Sequence, residues 1–260
     1  MDSFAICGEP EATLSRFQVA MNSPDTQHCT LRNCMSVNPR DSVKDLHSKT
    51  TLRAVAVNMC SSKHNTFEGN HIENWFIGLR FGSDSQFNII RNNIIQNCIQ
   101  KEVVCRGNSG IMAGNLMAGN LIEGNLIGGD MTTDGIQFDD GEEDSVSNRE
   151  MVIRNNTFFN NAENAIDLKA AGDVVIEGNI IVASIGDNSG YGGIRTDETS
   201  STHERFGPAS IIRGSHKISH NVIIRGNTFY DNLGGVHSHT NWRVYNNTFV
   251  ANNRDWSGPD

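Results

Sequence analysis

Short runs of three residues, each with an apolar residue in the middle, recur along most of the chain and alternate with polar corners. Val152-Ile153-Arg154 and Thr157-Phe158-Phe159 are two such runs, and a pair of residues ending in asparagine separates them. Self-similarity at a period of roughly 20 to 50 residues is typical of a solenoid. The corner pairs are Gly69-Asn70, Asn92-Asn93, Gly124-Asn125, Asn155-Asn156, Gly178-Asn179, Gly226-Asn227 and Asn246-Asn247.

The spacing of these asparagines predicts how many turns the solenoid has. Asn70 and Asn93 are 23 residues apart, and so are Asn156 and Asn179. The gaps of 32, 31, 48 and 20 residues are interpreted as one coil with an insertion, the same again, two coils, and a short coil. We therefore expect about seven to nine coils.

A third run completes each unit: glycine or alanine, an apolar residue, a variable residue and an apolar or small residue. Three short strands per unit indicate a parallel β-helix, in which equivalent strands of successive coils stack roughly 4.8 Å apart. The fold class is thus all-β, a single-stranded right-handed parallel β-helix, and its recurrent asparagines tolerate a left-handed backbone and form a ladder. The third runs begin at Gly78, Gly135, Ala165, Gly193 and Gly235.

The sequence divides into three parts. In residues 1–27, Leu14, Phe17 and Met21 follow Pro10 at helical spacing, which predicts a short N-terminal capping helix over the open first coil. Residues 28–253 are assigned to the β-helix and residues 254–260 to a C-terminal tail. We expect one domain, because repeat architectures grow by adding coils.

A five-residue repeat lies inside this pattern, from Ala113 to Ile127: AGNLM, AGNLI, EGNLI. It resembles the pentapeptide-repeat pattern, whose coils form a square β-helix. Because it spans only 15 residues, we interpret it as a local duplication inside an ordinary coil.

The composition restricts the classes of molecule that the protein is expected to bind. The net charge of −9 disfavours binding to nucleic acid or to an acidic membrane. The six cysteines include no CxxC pair, and cysteine in a stacked core is usually a small apolar residue. The chain shows neither a signal peptide nor an apolar stretch that would span a bilayer.

Alternation in the third runs predicts two outward-facing columns on one side of the β-helix. Charged columns of this kind form either a functional site or a plain ladder of ion pairs, and the spacing leaves both open. The first column is Gln137, Asp167, Arg195 and His237, and the second is Asp139, Lys169, Asp197 and His239.

This arrangement fits elimination from a uronic acid polymer, which needs a neutralised substrate carboxylate and a base. Asp139, Asp140 and Asp167 are the candidate ligands for Ca²⁺, which prefers carboxylate oxygens. Lys169 is the candidate base. The flanking carboxylates would raise its pKa and a bound cation would lower it again, so the mechanism needs the metal. Arg195 is the second catalytic candidate, because it would bind the substrate carboxylate. Substrate binding is assigned to Arg195, Asp197, His237 and His239.

At these residues the chain resembles the right-handed parallel β-helix superfamily of pectate lyases, alginate and chondroitin lyases, and polygalacturonases. Gly192-Gly193-Ile194-Arg195 is similar to the substrate-binding arginine strand of the alginate and chondroitin lyases. Ala165-Ile166-Asp167-Leu168-Lys169 occupies the strand of their catalytic basic residues. The resemblance implies an extracellular or cell-surface protein that acts on a uronate-containing polysaccharide by calcium-assisted β-elimination.

Two alternatives remain. One is a noncatalytic carbohydrate-binding or structural β-helix, such as a surface or phage-spike domain, either monomeric or homotrimeric. The other is an inverting glycoside hydrolase, because Thr133-Asp134-Gly135-Ile136 resembles a polygalacturonase motif. Asp134 and Glu163 would then supply the acid and the base.

Overall fold

The computed structural model confirms a right-handed parallel β-helix. The residues that the structure describes form 29 short strands in four parallel sheets, two of them nine-stranded, and these strands build a stack of nine coils. The structure describes residues 5–7, 17–22, 25–37, 53–59, 61–75, 77–81, 85–98, 101–105, 117–129, 134–138, 148–161, 165–168, 171–182, 212–214, 221–232, 235–237, 241–252 and 256–257.

Sheet 1 contains one strand from every coil. Its strands are β1 (Ala5–Cys7), β4 (Met35–Val37), β7 (His71–Glu73), β10 (Ile94–Gln96), β14 (Leu126–Gly128), β18 (Thr157–Phe159), β22 (Ile180–Val182), β25 (Thr228–Tyr230) and β28 (Thr248–Val250).

Sheet 2 also has nine strands and follows sheet 1 within each coil. Its strands are β2 (Phe17–Asn22), β5 (Arg53–Met59), β8 (Ile77–Phe81), β11 (Lys101–Cys105), β15 (Asp134–Phe138), β19 (Ile166–Leu168), β23 (Ile212–Gly214), β26 (Val236–His237) and β29 (Trp256–Ser257).

Sheet 3 precedes sheet 1 in the second to ninth coils, and a short sheet 4 precedes sheet 3 in the middle coils. Sheet 3 has β3 (Thr30–Arg32), β6 (Thr66–Glu68), β9 (Ile89–Arg91), β13 (Leu121–Glu123), β17 (Val152–Arg154), β21 (Val175–Glu177), β24 (Val222–Arg225) and β27 (Trp242–Tyr245). Sheet 4 has β12 (Met117–Ala118), β16 (Asn148–Arg149) and β20 (Ala171–Gly172).

The predicted asparagine ladder is present. The backbone N–H of Asn93 donates to Oδ1 of Asn125 at 2.9 Å, and that of Asn125 donates to Oδ1 of Asn156 at 3.0 Å. The same bond joins Asn179 to Asn227. The left-handed backbone, however, belongs to the preceding residue, for example Asn92 at φ 55°. Each corner therefore uses its first residue to turn and its second to hold the coils together.

The five-residue repeat is a general feature of the fold, and its interpretation as a local duplication was wrong. A second ladder passes through Asn88 and Asn120, each five positions before the ladder residue of its own coil. Sheets 3 and 1 thus follow one another as two pentads per coil. Residues 151–160 show the unit, in which the first and third positions are buried and the fifth is exposed.

Two further expectations are corrected. The 48-residue gap is a single coil, because Asn179 bonds directly to Asn227 and β22 pairs directly with β25. Phe17 and Met21 lie in a strand rather than a capping helix, because β2 pairs in parallel with β5. Leu14 lies outside the described residues. The β-helix therefore already includes strands before residue 28.

The core is the interior of the stack. Its largest fully buried side chains include Phe67, Phe138, Phe158 and Phe229. Each apolar residue packs on its equivalent in the next coil, so strands of three residues bury their central side chains. In the part of the chain that the structure describes, no helix is long and apolar enough to cross a membrane.

Candidate functional site

Connection lengths distinguish sheet 2 from the other faces. Between sheets 3 and 1 the connection is always a two-residue corner, such as residues 69–70 or 155–156. From sheet 1 to sheet 2 it varies from residues 74–76 to residues 183–211, and after sheet 2 it varies from residues 169–170 to residues 106–116. Loops that vary on a constant scaffold usually carry function. Sheet 2 is therefore the candidate functional face.

A column of mostly polar positions, interrupted by Val104, follows the strands of sheet 2. By strand register, Arg80 lies opposite Asn58 of the coil below, and in the upper coils Gln137 lies opposite Asp167. Asp167 is in turn the register partner of Arg213, and Arg213 is that of His237. Where the side chains on both sides of such a position are described, as for Val57 and Met59, they are buried. The column therefore occupies the outward register of the sheet.

The register brings together part of the predicted first column. Gln137, Asp167 and His237 share it, but Arg213 holds the position that was assigned to Arg195. Residues 211–214 place an arginine directly after an isoleucine, as residues 193–196 do, and only pairing with β19 and β26 distinguishes them. The remaining candidates lie outside the described residues: Asp139, Asp140, Lys169, Arg195, Asp197 and His239.

Asp134, the candidate acid or base of the hydrolase alternative, is buried. It is 1% exposed at the first position of β15, where its backbone pairs with Lys101 of β11. A carboxyl group in that position has no access to a sugar on the surface. Glu163 lies outside the described residues.

Arg80 is a cation without a partner among the described residues. Its Nε is buried and has no hydrogen-bond acceptor. Its neighbours in the column are Asn58 and Val104, neither of which is a carboxylate. The sequence reasoning did not identify Arg80, although it lies at the variable position of the run that begins at Gly78.

The sequence reasoning also missed an alternating charge ladder on sheet 3. Arg91 makes a bidentate pair with Glu68, at 3.0 and 3.1 Å, and Arg154 contacts Glu123 at 2.7 Å. By register the column reads Arg32, Glu68, Arg91, Glu123, Arg154, Glu177, Arg225 and Tyr245. These residues can be recognised in the sequence, because each of them directly precedes a corner pair.

Hydrogen bonding further favours the charged form of two arginines in this charge ladder. The bond to Glu68, together with its charge, raises the pKa of Arg91. Bonds to Tyr245 and then Glu177 raise the pKa of Arg225. A raised arginine pKa stabilises the fold below the unfolded-state value and loses that effect only above the folded value. Both values lie far above neutral pH, so the two arginines stay charged under ordinary conditions.

Among the described residues, no group of three or more His, Cys, Asp or Glu residues is close enough to hold a metal ion. Asp139 and Asp140, two of the three candidate calcium ligands, are outside that part of the chain. Asp167 is placed by register between Gln137 and Arg213. The predicted calcium site thus depends on residues that follow β15.

Comparison with solved structures shows the same fold. The A-module of Azotobacter vinelandii mannuronan C-5 epimerase AlgE4 superposes with a TM-score of 0.57 at 13% identity, over 90% of this chain and 63% of the module. The Dettilon tailspike protein gives 0.54 at 12% identity, over 96% of this chain and 60% of the tailspike. PfbA, a surface adhesin of Streptococcus pneumoniae, gives 0.55 at 10% identity, over 89% of this chain and 70% of the adhesin.

The chain thus spans less than two thirds of the epimerase module and of the tailspike. No model of a known protein family and no curated protein matches it. The class established by these comparisons and by the parallel sheets is that of right-handed parallel β-helix proteins. The particular activity has to be argued from the residues of sheet 2.

Proposed function

We propose that the protein binds an acidic polysaccharide along the outer face of sheet 2 and cleaves it by calcium-assisted β-elimination. The observation that carries this proposal is that the variable connections flank sheet 2, whose outward column contains charged residues. Several solved structures of this fold have carbohydrate chemistry in their names. They are a mannuronan epimerase, an α-1,3-glucanase in complex with tetrasaccharides (TM-score 0.54) and a bacteriophage tailspike in complex with a pentasaccharide (TM-score 0.50).

Each residue in the proposed mechanism has a defined role. Asp139, Asp140 and Asp167 would hold Ca²⁺, and the bound ion would supply the positive charge that neutralises the substrate carboxylate. Lys169 removes the proton from the carbon beside that carboxylate, the electron pair forms a carbon–carbon double bond, and the glycosidic oxygen leaves with a proton from solvent. The substrate carboxylate is bound by Arg195, or by Arg213, which occupies the column position that was predicted for Arg195. Asp197, His237 and His239 contribute to substrate binding.

We include Ca²⁺ in the proposal because three aspartates would offer the hard oxygen ligands that it prefers. A protein that acts on such a polymer would work outside the cell or at its surface, and we include this location in the proposal.

The first test is the ultraviolet absorbance of unsaturated uronate products from pectate, alginate and glycosaminoglycans, with calcium and with chelator. We expect a calcium-dependent signal that Lys169→Ala reduces at least about 100-fold, the usual contribution of a general base. Arg154→Gln is the matched control, because Arg154 belongs to the charge ladder on sheet 3. Flat absorbance and flat reducing-end release on all polymers would contradict the lyase.

Binding to the face is tested separately through Arg80 and Arg213. A charge-assisted hydrogen bond contributes about 1.5–3 kcal/mol, so Arg80→Gln and Arg213→Gln should each weaken binding to an acidic polysaccharide about 10-fold or more. Affinity electrophoresis in gels that contain alginate or pectate measures this, and a neutral polysaccharide shows whether charge is responsible. Equal retardation of Arg80→Gln and Arg154→Gln would remove Arg80 from the binding face.

Binding without cleavage is the second candidate function, and Arg80 favours it. Arg80 lies three coils below Asp167 in the column, roughly 14 Å away at the spacing of stacked strands, and therefore contacts polymer well beyond the reacting bond. If retardation depends on Arg80 and no polymer is cleaved, the face is a binding surface only.

A further inference from the structure

Three polar side chains meet on the outer face of sheet 1, in the third and fourth coils. His71 and Glu73 are the outward residues of β7, and Nε2 of His71 lies 3.0 Å from Oε2 of Glu73. Nε2 of Gln96 in β10 lies 3.5 Å from the same imidazole nitrogen. We call His71, Glu73 and Gln96 the polar cluster of sheet 1. The register neighbours of His71, Met35 below and Ile94 above, are apolar and exposed.

The imidazole of His71 cannot satisfy both of its contacts as a neutral ring. If its Nε2 carries the proton and donates it to Glu73, no lone pair is left to accept from the amide of Gln96. If Nε2 accepts from Gln96 instead, its lone pair also faces the Glu73 carboxylate. Turning the Gln96 amide puts its oxygen, an acceptor, where the nitrogen was. Three acceptor atoms then converge, and a proton on Nε2 or a metal ion in its place joins them.

The distances in the polar cluster fit a divalent transition-metal ion. Nitrogen and oxygen ligands lie about 2.0–2.1 Å from Zn²⁺, so ligand atoms 3.0 and 3.5 Å apart subtend roughly 90° and 110° at the ion. Both angles are usual for such an ion, with water in its remaining positions. A small rotation of the Gln96 amide is the one adjustment that binding requires.

A further hydrogen bond holds the carboxylate of Glu73 in the orientation that binding requires. Its other oxygen, Oε1, accepts from Nδ2 of Asn97 at 3.0 Å. Asn97 is itself fixed in a corner, with φ 56° and a backbone N–H that donates to the carbonyl of Gly128 at 3.0 Å. Outer hydrogen bonds of this kind orient the ligands of metal ions. Oε2 of Glu73 is thereby directed at His71.

The surroundings of the polar cluster also favour a cation. The side chains of His71 and Glu73 are 30% and 24% exposed, so both are partly shielded from water. The strands β4, β7 and β10 contain no lysine or arginine, and Glu73 is therefore not neutralised by a basic residue of these strands. A carboxylate and an imidazole in apolar surroundings attract a divalent ion more strongly than they do in open solvent.

We propose that Nε2 of His71, Oε2 of Glu73 and Oε1 of Gln96 bind a divalent transition-metal ion such as Zn²⁺. This set of one imidazole, one carboxylate and one amide differs from the aspartates of the proposed calcium site. Imidazole nitrogen is a ligand for zinc, copper and nickel, whereas calcium takes oxygen ligands. The ion would join β7 to β10 on the face opposite to none of the residues in the proposed lyase mechanism, so the site is independent of that mechanism.

Isothermal titration calorimetry of the full chain with Zn²⁺, in the presence of excess Ca²⁺, tests the site. We expect the first equivalent of Zn²⁺ to bind here and Ca²⁺ not to displace it, and His71→Gln and Glu73→Gln should each weaken it at least about 10-fold. Glu177→Gln is the matched control, because Glu177 is a carboxylate of the charge ladder on sheet 3. No saturable Zn²⁺ binding overturns the proposal, and so does equal binding by Glu73→Gln and Glu177→Gln.

Two further variants separate the site from misfolding and from other imidazoles. Gln96→Glu supplies a second carboxylate and should tighten Zn²⁺ binding at least about 10-fold, a gain that a misfolded chain does not produce. His64→Asn removes an exposed imidazole that stacks on His28 with ring centroids 5.0 Å apart, and it should leave the first equivalent unchanged. Absence of a gain in Gln96→Glu removes Gln96 from the ligand set. Loss of the first equivalent in His64→Asn overturns the proposal.

Discussion

Replacing Asn125 with alanine is expected to lower the free energy of unfolding by about 4 kcal/mol. The side chain of Asn125 is 2% exposed and makes four hydrogen bonds. Its Oδ1 accepts from the backbone N–H and from Nδ2 of Asn93, both at 2.9 Å. Its Nδ2 donates to the carbonyl of Ile90 at 3.0 Å and to Oδ1 of Asn156 at 2.9 Å.

Alanine at this position leaves the buried backbone N–H of Asn93 without a partner and removes the donor to the carbonyl of Ile90 and to Oδ1 of Asn156. The unsatisfied N–H costs about 1–3 kcal/mol and each lost hydrogen bond about 0.5–1.5 kcal/mol, which gives the expected size of the effect. Nδ2 of Asn93 retains its bond to the carbonyl of Phe67, so it adds little. Urea unfolding followed by circular dichroism measures the loss.

Asn247→Ala is the control for this prediction. Asn247 also makes four hydrogen bonds: it accepts two from Asn227 and donates to the backbone carbonyls of Ile224 and Tyr245. It is, however, partly exposed in the ninth coil. Water replaces lost partners there, so we expect about 1 kcal/mol. If the two variants lose equal stability, burial of the ladder is not the cause of its strength.

The ladder was predictable from the sequence because a buried corner needs a side chain that both donates and accepts. The asparagine side chain is short and can both donate and accept hydrogen bonds at a corner. Its recurrence at Asn93 and Asn125 therefore identified the fold. The five-residue unit was underestimated because its first position is asparagine in some coils and apolar in others, such as Met151 or Val174. Both residue types are buried at this position, so burial repeats more regularly along the chain than residue identity does.

The candidate site was less predictable for a physical reason. Which of two apolar runs joins a sheet depends on pairing with the coils on both sides, and that information is not local. Arg195 and Arg213 follow equally suitable residues, yet only Arg213 lies between Asp167 and His237. The ion-pair ladder was sought on sheet 2 and lies on sheet 3, where alternation of Arg and Glu satisfies each charge within the chain. Among the residues that the structure describes, Arg80 has no such partner, and this is why it is a candidate for binding.

Replacing Gly128 with alanine is expected to destabilise the protein by about 4 kcal/mol or more, at the upper end of single-residue effects. Gly128 ends β14 with φ +149°, and a Cβ at this position would overlap the carbonyl oxygen of Phe159 in the next coil and lie 2.8 Å from its carbonyl carbon. That oxygen already accepts a hydrogen bond from the N–H of Gly129 at 3.0 Å. Backbone cannot rotate away as a side chain does, so two paired strands must separate.

Gly226→Ala isolates the contribution of the backbone angle. Gly226 has φ +64°, but the nearest atom to its Cβ position is 3.9 Å away, so alanine there meets only the strain of a left-handed residue, about 1–2 kcal/mol. Equal losses in the two variants would show that the overlap at Gly128 relaxes freely. The chain continues from Gly128 into β15, which carries Gln137 of the candidate column. Gly128→Ala should therefore also weaken polysaccharide binding, whereas Gly226→Ala, in a corner between sheets 3 and 1, should leave it unchanged.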